Sequence, residues 1–358
     1  MDAIDAALVD FSATPLRVLA ARATPYPPSL KSRISALIES ADNAALDEVG
    51  QVDVEVGHAF ADAALALLRE AGIGAGEVAA VGSHGQTLRH RTDLAVPFTW
   101  QIGDPNTLAE MSGIAVVADF RRRDVAAGGQ GAPLLPVFHD HVFRSEAEDR
   151  VIVNLGGIAN ITVLRGGAPV TGFDTGPANR LLDAWIFQHL GREFDADGAW
   201  AGSGRCDPVL LQQLLAEPYL SLAPPKSTGR ELFNMPWLRA RLRGIESRPE
   251  DIQATLQEYT AASVADAVRR YAPGAALYVC GGGAHNGALL AALARQVQPA
   301  RVATTAALGV DPDYVEAIAF AWFARRTLAG LPSNSGAVTG ASGARILGGI
   351  YRHSQGRI

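Results

Sequence analysis

Apolar residues dominate Ile4 to Phe11 with weak alternation, the pattern of a strand, and Leu16 to Thr24 reads as a second strand closed by Pro25, Pro27 and Pro28. Helical spacing takes over from about Ser29 to Ser40 and again from Val52 to Ala71, where Phe60, Ala64, Leu67 and Leu68 share a face and Gly72, Gly74 and Gly76 end the run. Val78 to Ser83 predicts a short buried strand that runs into Gly82–Thr87 (GSHGQT). A helix over Asp104–Met111 and a strand over Ile114–Ala118 follow.

The pattern then breaks. Asp119 to Gly131 is polar, basic and glycine-rich, which sets a division between a first domain, 1–125, and a second, 126–344, with the tail 345–358 expected to pack back on the first. Beyond it, Val151–Leu155 and Ile158–Leu164 are β-branched runs around Gly156-Gly157, the signature of a hairpin. Helical periodicity recurs near Pro177–Leu190, Pro208–Leu215, Ile252–Tyr271, Gly287–Gln298 and Val315–Leu328, and a strand over Ala275–Cys280 precedes Gly281-Gly282-Gly283. Two α/β units with a ligand site in the cleft between them is the expected architecture.

Composition narrows the function. With 358 residues, 48% hydrophobic and 19% charged, the chain has material for about two cored domains and is not a disordered one. Its formal net charge of −6 gives no global attraction to nucleic acid or an anionic membrane. Apolar runs fall short of the roughly 18 residues that span a bilayer, and Met1-Asp2-Ala3-Ile4-Asp5 lacks the basic start of a signal peptide, so a cytoplasmic protein is expected. Cys206 and Cys280 stand far apart without CxxC or Cys/His spacing and read as buried thiols.

Three glycine-rich turns directly follow apolar strands: Asn154–Asn160 (NLGGIAN), Asp174–Asn179 (DTGPAN) and Gly281–Asn286 (GGGAHN). Backbone N–H groups in such turns make concavities for anions, and a helix N-terminus adds positive character. A P-loop is excluded, because Pro225 stands where Lys226-Ser227-Thr228 would need a glycine. Gly281–Asn286 sits between strand and helix as a dinucleotide turn would, but no acidic residue follows at the ribose spacing. There is no G-x-S-x-G and no H-E-x-x-H. His139-Asp140-His141 could ligate a metal, although alternation would set the histidines on one side and the aspartate on the other.

Taken in order, these segments resemble one family, the anhydro-N-acetylmuramic acid kinases of the sugar kinase/Hsp70/actin superfamily. The resemblance rests on Gly82–Thr87, Gln101–Asn106 (QIGDPN), Ala118–Pro133 (ADFRRRDVAAGGQGAP), Asn154–Asn160, Gly172–Asn179 (GFDTGPAN), Lys226–Phe233 (KSTGRELF), Gly281–Asn286 and Val315–Phe323 (VEAIAFAWF). It implies two ribonuclease-H-like domains with ATP and sugar meeting in the cleft between them. It also implies an ATP- and Mg²⁺-dependent reaction that opens the 1,6-anhydro bridge with water and phosphorylates O6, a step in cell-wall recycling, and a homodimer. Carried over residue by residue, Asp174 is the catalytic base. ATP would be met by Asp2, Asn154, Gly156, Gly157, Asn160, Gly176, Gly281, Gly282, Gly283 and Asn286, with Mg²⁺ held mainly by the phosphates. The sugar would be met by His84, Gly85, Arg121 and Glu316. From the residues alone, Asp174 could equally cap the helix that follows it, His84 could be a core histidine, and Arg121 to Arg123 a solvated charge run.

One departure stands out. The family opens with a strand and a Gly-Thr-Ser turn followed by an aspartate and a glycine, whereas this chain begins at Met1-Asp2-Ala3, with Ala3 where glycine is usual. One phosphate-binding hairpin would then be incomplete and Ile4–Phe11 would present an unpaired edge. Two expectations follow: that the working chain is longer than the numbered one, or that this form holds ATP weakly.

Overall fold

The computed structural model describes residues 3–13, 15–39, 44–229 and 231–353, so Asp2 lies outside the described residues. The chain packs as two units, Met1–Phe138 with Glu316–Ile358, and His139–Val315. The division thus falls after Phe138 rather than at 125, and the return to the first unit starts at Glu316 rather than at 345. The first unit opens with strands β1 (Ala3–Asp10) and β2 (Arg17–Pro25), the helices Pro28–Glu39 and Leu46–Ala71, and β3 (Val81–Gly82). A hairpin of β4 (Gln86–Arg91) and β5 (Phe98–Ile102), the helix Pro105–Ser112 and β6 (Val116–Ala118) complete its first pass. The second unit holds β7 (Arg150–Leu155), β8 (Ile158–Leu164), β9 (Thr171–Pro177), β10 (Ala276–Cys280) and β11 (Val302–Thr304), and the chain ends in the first unit with β12 (Gly349–Tyr351).

The second unit is built on one five-stranded sheet ordered β11-β10-β7-β8-β9. β7, β8 and β9 form an antiparallel meander, while β10 lies parallel to β7 and β11 parallel to β10. That order and direction is the ribonuclease-H-like sheet. β7 reads Val151, Ile152, Val153 without alternation because both of its faces are covered, and all three are fully buried. The helix Pro249–Tyr271 closes one face through Ala261, Val264, Ala265 and Val268, which pack with Val153, Ile161, Phe173 and Leu277 in one core cluster. A second cluster gathers Trp185, Leu210, Phe233, Trp237 and Tyr259.

In the first unit the described strands repeat part of this plan. β1 and β2 form an antiparallel pair, as β8 and β9 do, and β3 and β6 a parallel pair, as β10 and β11 do, with β12 added antiparallel to β6. The position that β7 fills in the second unit has no strand among the described residues. A cavity of about 1130 Å³ stands there, lined by β1, by 78–86 and by one side of the helix Val315–Leu328. Among the described residues β1 pairs with β2. What holds this unit is helical: Leu30, Ile34, Val52 and Val56 pack on Ile4, Leu88 and Ile102. The helix Leu46–Ala71 ends at Gly72, whose left-handed φ of 66° lets its N–H reach the Arg69 and Leu68 carbonyls.

His139 and His141 lie on the helix Leu135–Phe143, not on alternating strand positions. His139 is fully buried, with Nδ1 against Thr162 Oγ1 at 2.8 Å, and no group of three potential metal ligands occurs among the described residues. Cys280 is buried as expected, while Cys206 is only half-buried. No helix among the described residues is long and apolar enough to cross a membrane.

Candidate active site

In the second unit the sheet register gathers the polar residues. Asp174 on β9 pairs with Asn160 on β8, Asn160 with Asn154 on β7, and Asn154 with Cys280 at the end of β10. All three glycine turns therefore emerge at one end of the sheet, the carboxyl end of its parallel strands, where α/β folds bind ligands. Gly156 and Gly157 make the β7–β8 turn, and their carbonyls accept from the Asn179, Ala178 and Arg180 amides, which docks the helix Asn179–Leu190 beneath it. Gly281 has a left-handed φ of 79°, and a Cβ there would overlap Asn154 Oδ1. A Cβ on Gly283 would lie 2.5 Å from Leu155 Cβ, so the β10 turn rests directly on the end of β7. Asn286 is committed in part to local structure, because its Oδ1 accepts from the Leu289 amide at 2.9 Å and caps the helix Gly287–Gln296.

Asp174 is not a helix cap. The helix begins at Asn179, with Ala178 at its N-cap, and Asp174 sits inside β9 beside a bulge. Ala159 faces Gly176 and Asn160 faces Asp174, so Thr175 is an extra residue, and Gly176 absorbs the distortion at φ 152°. Bulges re-aim side chains next to functional sites. The segment 219–228 then wraps this residue: Tyr219 Oη donates to the Asp174 carbonyl at 2.9 Å, the Asp174 amide donates to the Lys226 carbonyl at 3.3 Å, and the Thr228 amide donates to Asp174 Oδ2 at 2.9 Å.

The first unit brings His84, Arg121 and Glu316 together with Gly85. β3 can lie so close to the helix Val315–Leu328 only because residue 82 is glycine: a Cβ there would overlap the Phe320 carbonyl. Gly85 follows at φ 76°, where a Cβ would come 2.8 Å from the Ile102 carbonyl oxygen. Between them the His84 ring stacks on Phe320 with centroids 4.5 Å apart. Arg121 Nε donates to His84 Nε2 at 2.9 Å and its Nη1 to the Gly131 carbonyl at 2.7 Å. An arginine on Nε2 makes that nitrogen an acceptor, so the network assigns the ring proton to Nδ1. Burial, and then the Arg121 charge, hold His84 well below the ordinary imidazole range. Glu316 opens into the cavity, where solvent reaches it although protein encircles its carboxyl. That desolvation raises its pKa, with Arg121 opposing. Arg122 and Arg123 are exposed, as a solvated charge run would be.

Asp124 is the residue that sequence reasoning passed over. It is fully buried and accepts from the Gly131 amide at 2.8 Å, Asn334 Nδ2 at 2.7 Å and Thr339 Oγ1 at 2.8 Å. It thereby ties the loop that carries Arg121 to the 334–339 segment. A Cβ on Gly129 would overlap its carboxylate, which accounts for one glycine of that stretch. The signal was present as an acid inside a glycine-rich segment. Asp124→Ala strands three donors, and the expected loss is about 3 kcal/mol or more. That loss lowers the thermal midpoint by roughly 5 °C, and an unchanged melting curve would contradict the assignment.

Buried imidazoles also set an acid limit. His139 is pushed down to about 3 by burial, and His90 to about 4 by burial and by the Arg121 charge, from an ordinary 6.5. The unfolded chain therefore takes up these protons first, and stability declines as pH falls below about 6.5. Melting scans between about pH 7.5 and 5 should show that decline before the carboxylates titrate.

A ribonuclease-H-like sheet with glycine turns and a carboxylate at its carboxyl end, within a chain of two α/β units, is a member of the sugar kinase/Hsp70/actin fold class. The model of the family described as anhydro-N-acetylmuramic acid kinase matches residues 1–353. A protein of that name from Xanthomonas campestris pv. campestris is 51% identical over 354 residues, 98% of this chain and 94% of the relative. One from Coxiella burnetii is 50% identical over 354 residues, with 98% and 94% covered. A ROK family glucokinase from Streptomyces griseus, solved with glucose and AMPPNP, is 16% identical with a TM-score of 0.32 and covers 80% of this chain and 86% of that one, too loose a likeness to bear on chemistry. The chain belongs to the anhydro-N-acetylmuramic acid kinase family.

Proposed function

We propose that this chain is an ATP-dependent kinase that opens 1,6-anhydro-N-acetylmuramic acid with water and phosphorylates O6, giving N-acetylmuramic acid 6-phosphate and ADP in peptidoglycan recycling. Family membership supports the reaction. The single structural observation that carries it is the register that sets Asp174 in one row with Asn160 and Asn154 beside the glycine turns.

Asp174 takes a proton from water as that oxygen bonds to the anomeric carbon. The C1–O6 bond breaks, its electron pair stays on O6, and O6 attacks the γ-phosphorus while the bond to ADP breaks. The turns at Gly156-Gly157 and Gly281–Gly283 supply the backbone cradle for ATP, with Asn154, Asn160 and Gly176 beside them; positioning and charge neutralisation are what such a transfer needs from a protein. Mg²⁺ would be held mainly by the triphosphate oxygens, and when bound it would neutralise phosphate charge. In the first unit, His84 Nδ1–H, the Gly85 backbone, the Arg121 guanidinium and the Glu316 carboxyl offer donors and an acceptor for the sugar and its lactyl carboxylate. The working form we propose is a cytoplasmic homodimer.

Running the reaction in ¹⁸O water is the direct test. Label should enter the anomeric hydroxyl, and phosphate should be found on O6. Unlabelled product, or equal turnover of an ordinary hexosamine, would reject the reading.

A further inference from the structure

Lys226 touches no reacting group, yet it is among the most deeply placed charges of the second unit, with 8% of its surface exposed. Its Nζ donates to the Tyr219 and Leu220 carbonyls, both at 3.1 Å, and lies 4.7 Å from the Tyr219 ring centre and 5.7 Å from that of Phe173. An ammonium is costly to bury, and two carbonyls and two ring faces compensate it here. These bonds join the start of the 219–228 segment to its end. The segment leaves the Asp174 carbonyl at Tyr219 and returns to the Asp174 amide at Lys226 and to Oδ2 at Thr228.

Resting on the reading of Asp174 as the base, we infer that Lys226 is a positioning residue: by closing the 219–228 strap it holds the Thr228 amide on Asp174 Oδ2 and fixes the direction in which the carboxylate meets water. A carboxylate held from one side by a fixed donor keeps a single orientation, and small misplacement is expensive in turnover. Burial and the Arg270 charge push the Lys226 ammonium below its ordinary range, while the charges of Asp174 and Asp266 oppose that shift, and Glu231 lies beside Tyr219. Loss of the lysine charge should therefore move the acidic limb of kcat towards higher pH.

The test is kinetic, on the full chain with ATP, Mg²⁺ and the anhydro sugar. Lys226→Met should lower kcat by about 10- to 100-fold, leave the ATP dissociation constant within about twofold by calorimetry, and shift the acidic limb upward. Lys226→Arg should recover part of the rate. Tyr219→Phe, which removes one strap contact and keeps the ring, should show a smaller loss of the same kind and serves if Lys226→Met does not fold. In an Asp174→Asn background Lys226→Met should add no further loss, because its effect passes through Asp174. Parental turnover in both Lys226→Met and Tyr219→Phe, or full additivity with Asp174→Asn, would overturn the inference. If Asp174→Asn alone keeps parental turnover, the reading of the base fails instead.

Discussion

Asp174→Asn should lower kcat by about 10²–10⁴-fold, the range that a positioned general base contributes, while ATP binds as before. The substitution keeps size and shape, so the backbone contacts to Tyr219 and Lys226 persist, and the side-chain oxygen can still accept from the Thr228 amide. What it removes is the capacity to take a proton from water. Because Asn154, Asn160 and the glycine turns are untouched, the ATP dissociation constant should stay within about twofold. Coupled measurement of ADP release with calorimetric titration of ATP separates the two effects. A variant with parental turnover would end the case for Asp174 as the base.

Arg121→Ala should raise KM for the anhydro sugar by about 10- to 100-fold, the size of one lost charge-assisted hydrogen bond, with a smaller change for ATP. Arg121 fixes the His84 tautomer through Nε and adds positive charge beside both His84 and Glu316. Without it the imidazole regains a higher pKa, so His84 would protonate on Nε2 at a pH where it was neutral. The carboxyl of Glu316, already raised by desolvation, would climb further. The acidic limb of kcat/KM for sugar should consequently move to higher pH in the variant. Equal increases in both Michaelis constants would contradict a sugar clamp.

Much of this was legible in the letters, for identifiable reasons. Glycine clusters directly after β-branched runs announce turns that let backbone approach closely, and Gly281 and Gly283 do meet β7 at distances that exclude a side chain. Asp174 was visible as a residue type in a motif, but the bulge at Thr175 that aims it and the strap that holds it depend on register and on Lys226, 52 positions away on the chain. The β4–β5 hairpin escaped because Arg89, His90 and Arg91 blur its alternation, and its faces are only partly covered. Asp124 escaped because Asn334 and Thr339 lie more than two hundred residues downstream. His139 misled, since an H-x-H spacing looks like a strand face yet sits on a helix whose inner side is buried.

The five-stranded order of the second unit bears on where its backbone opens. β7 is the middle strand, laddered to β8 on one flank and to β10 on the other, with Val151, Ile152 and Val153 sealed on both faces. Its amides can meet solvent deuterium only when the whole sheet parts, whereas β9 and β11 close the two ends of the ladder and can fray singly. Deuterium uptake should accordingly be slowest along the strand that carries Asn154.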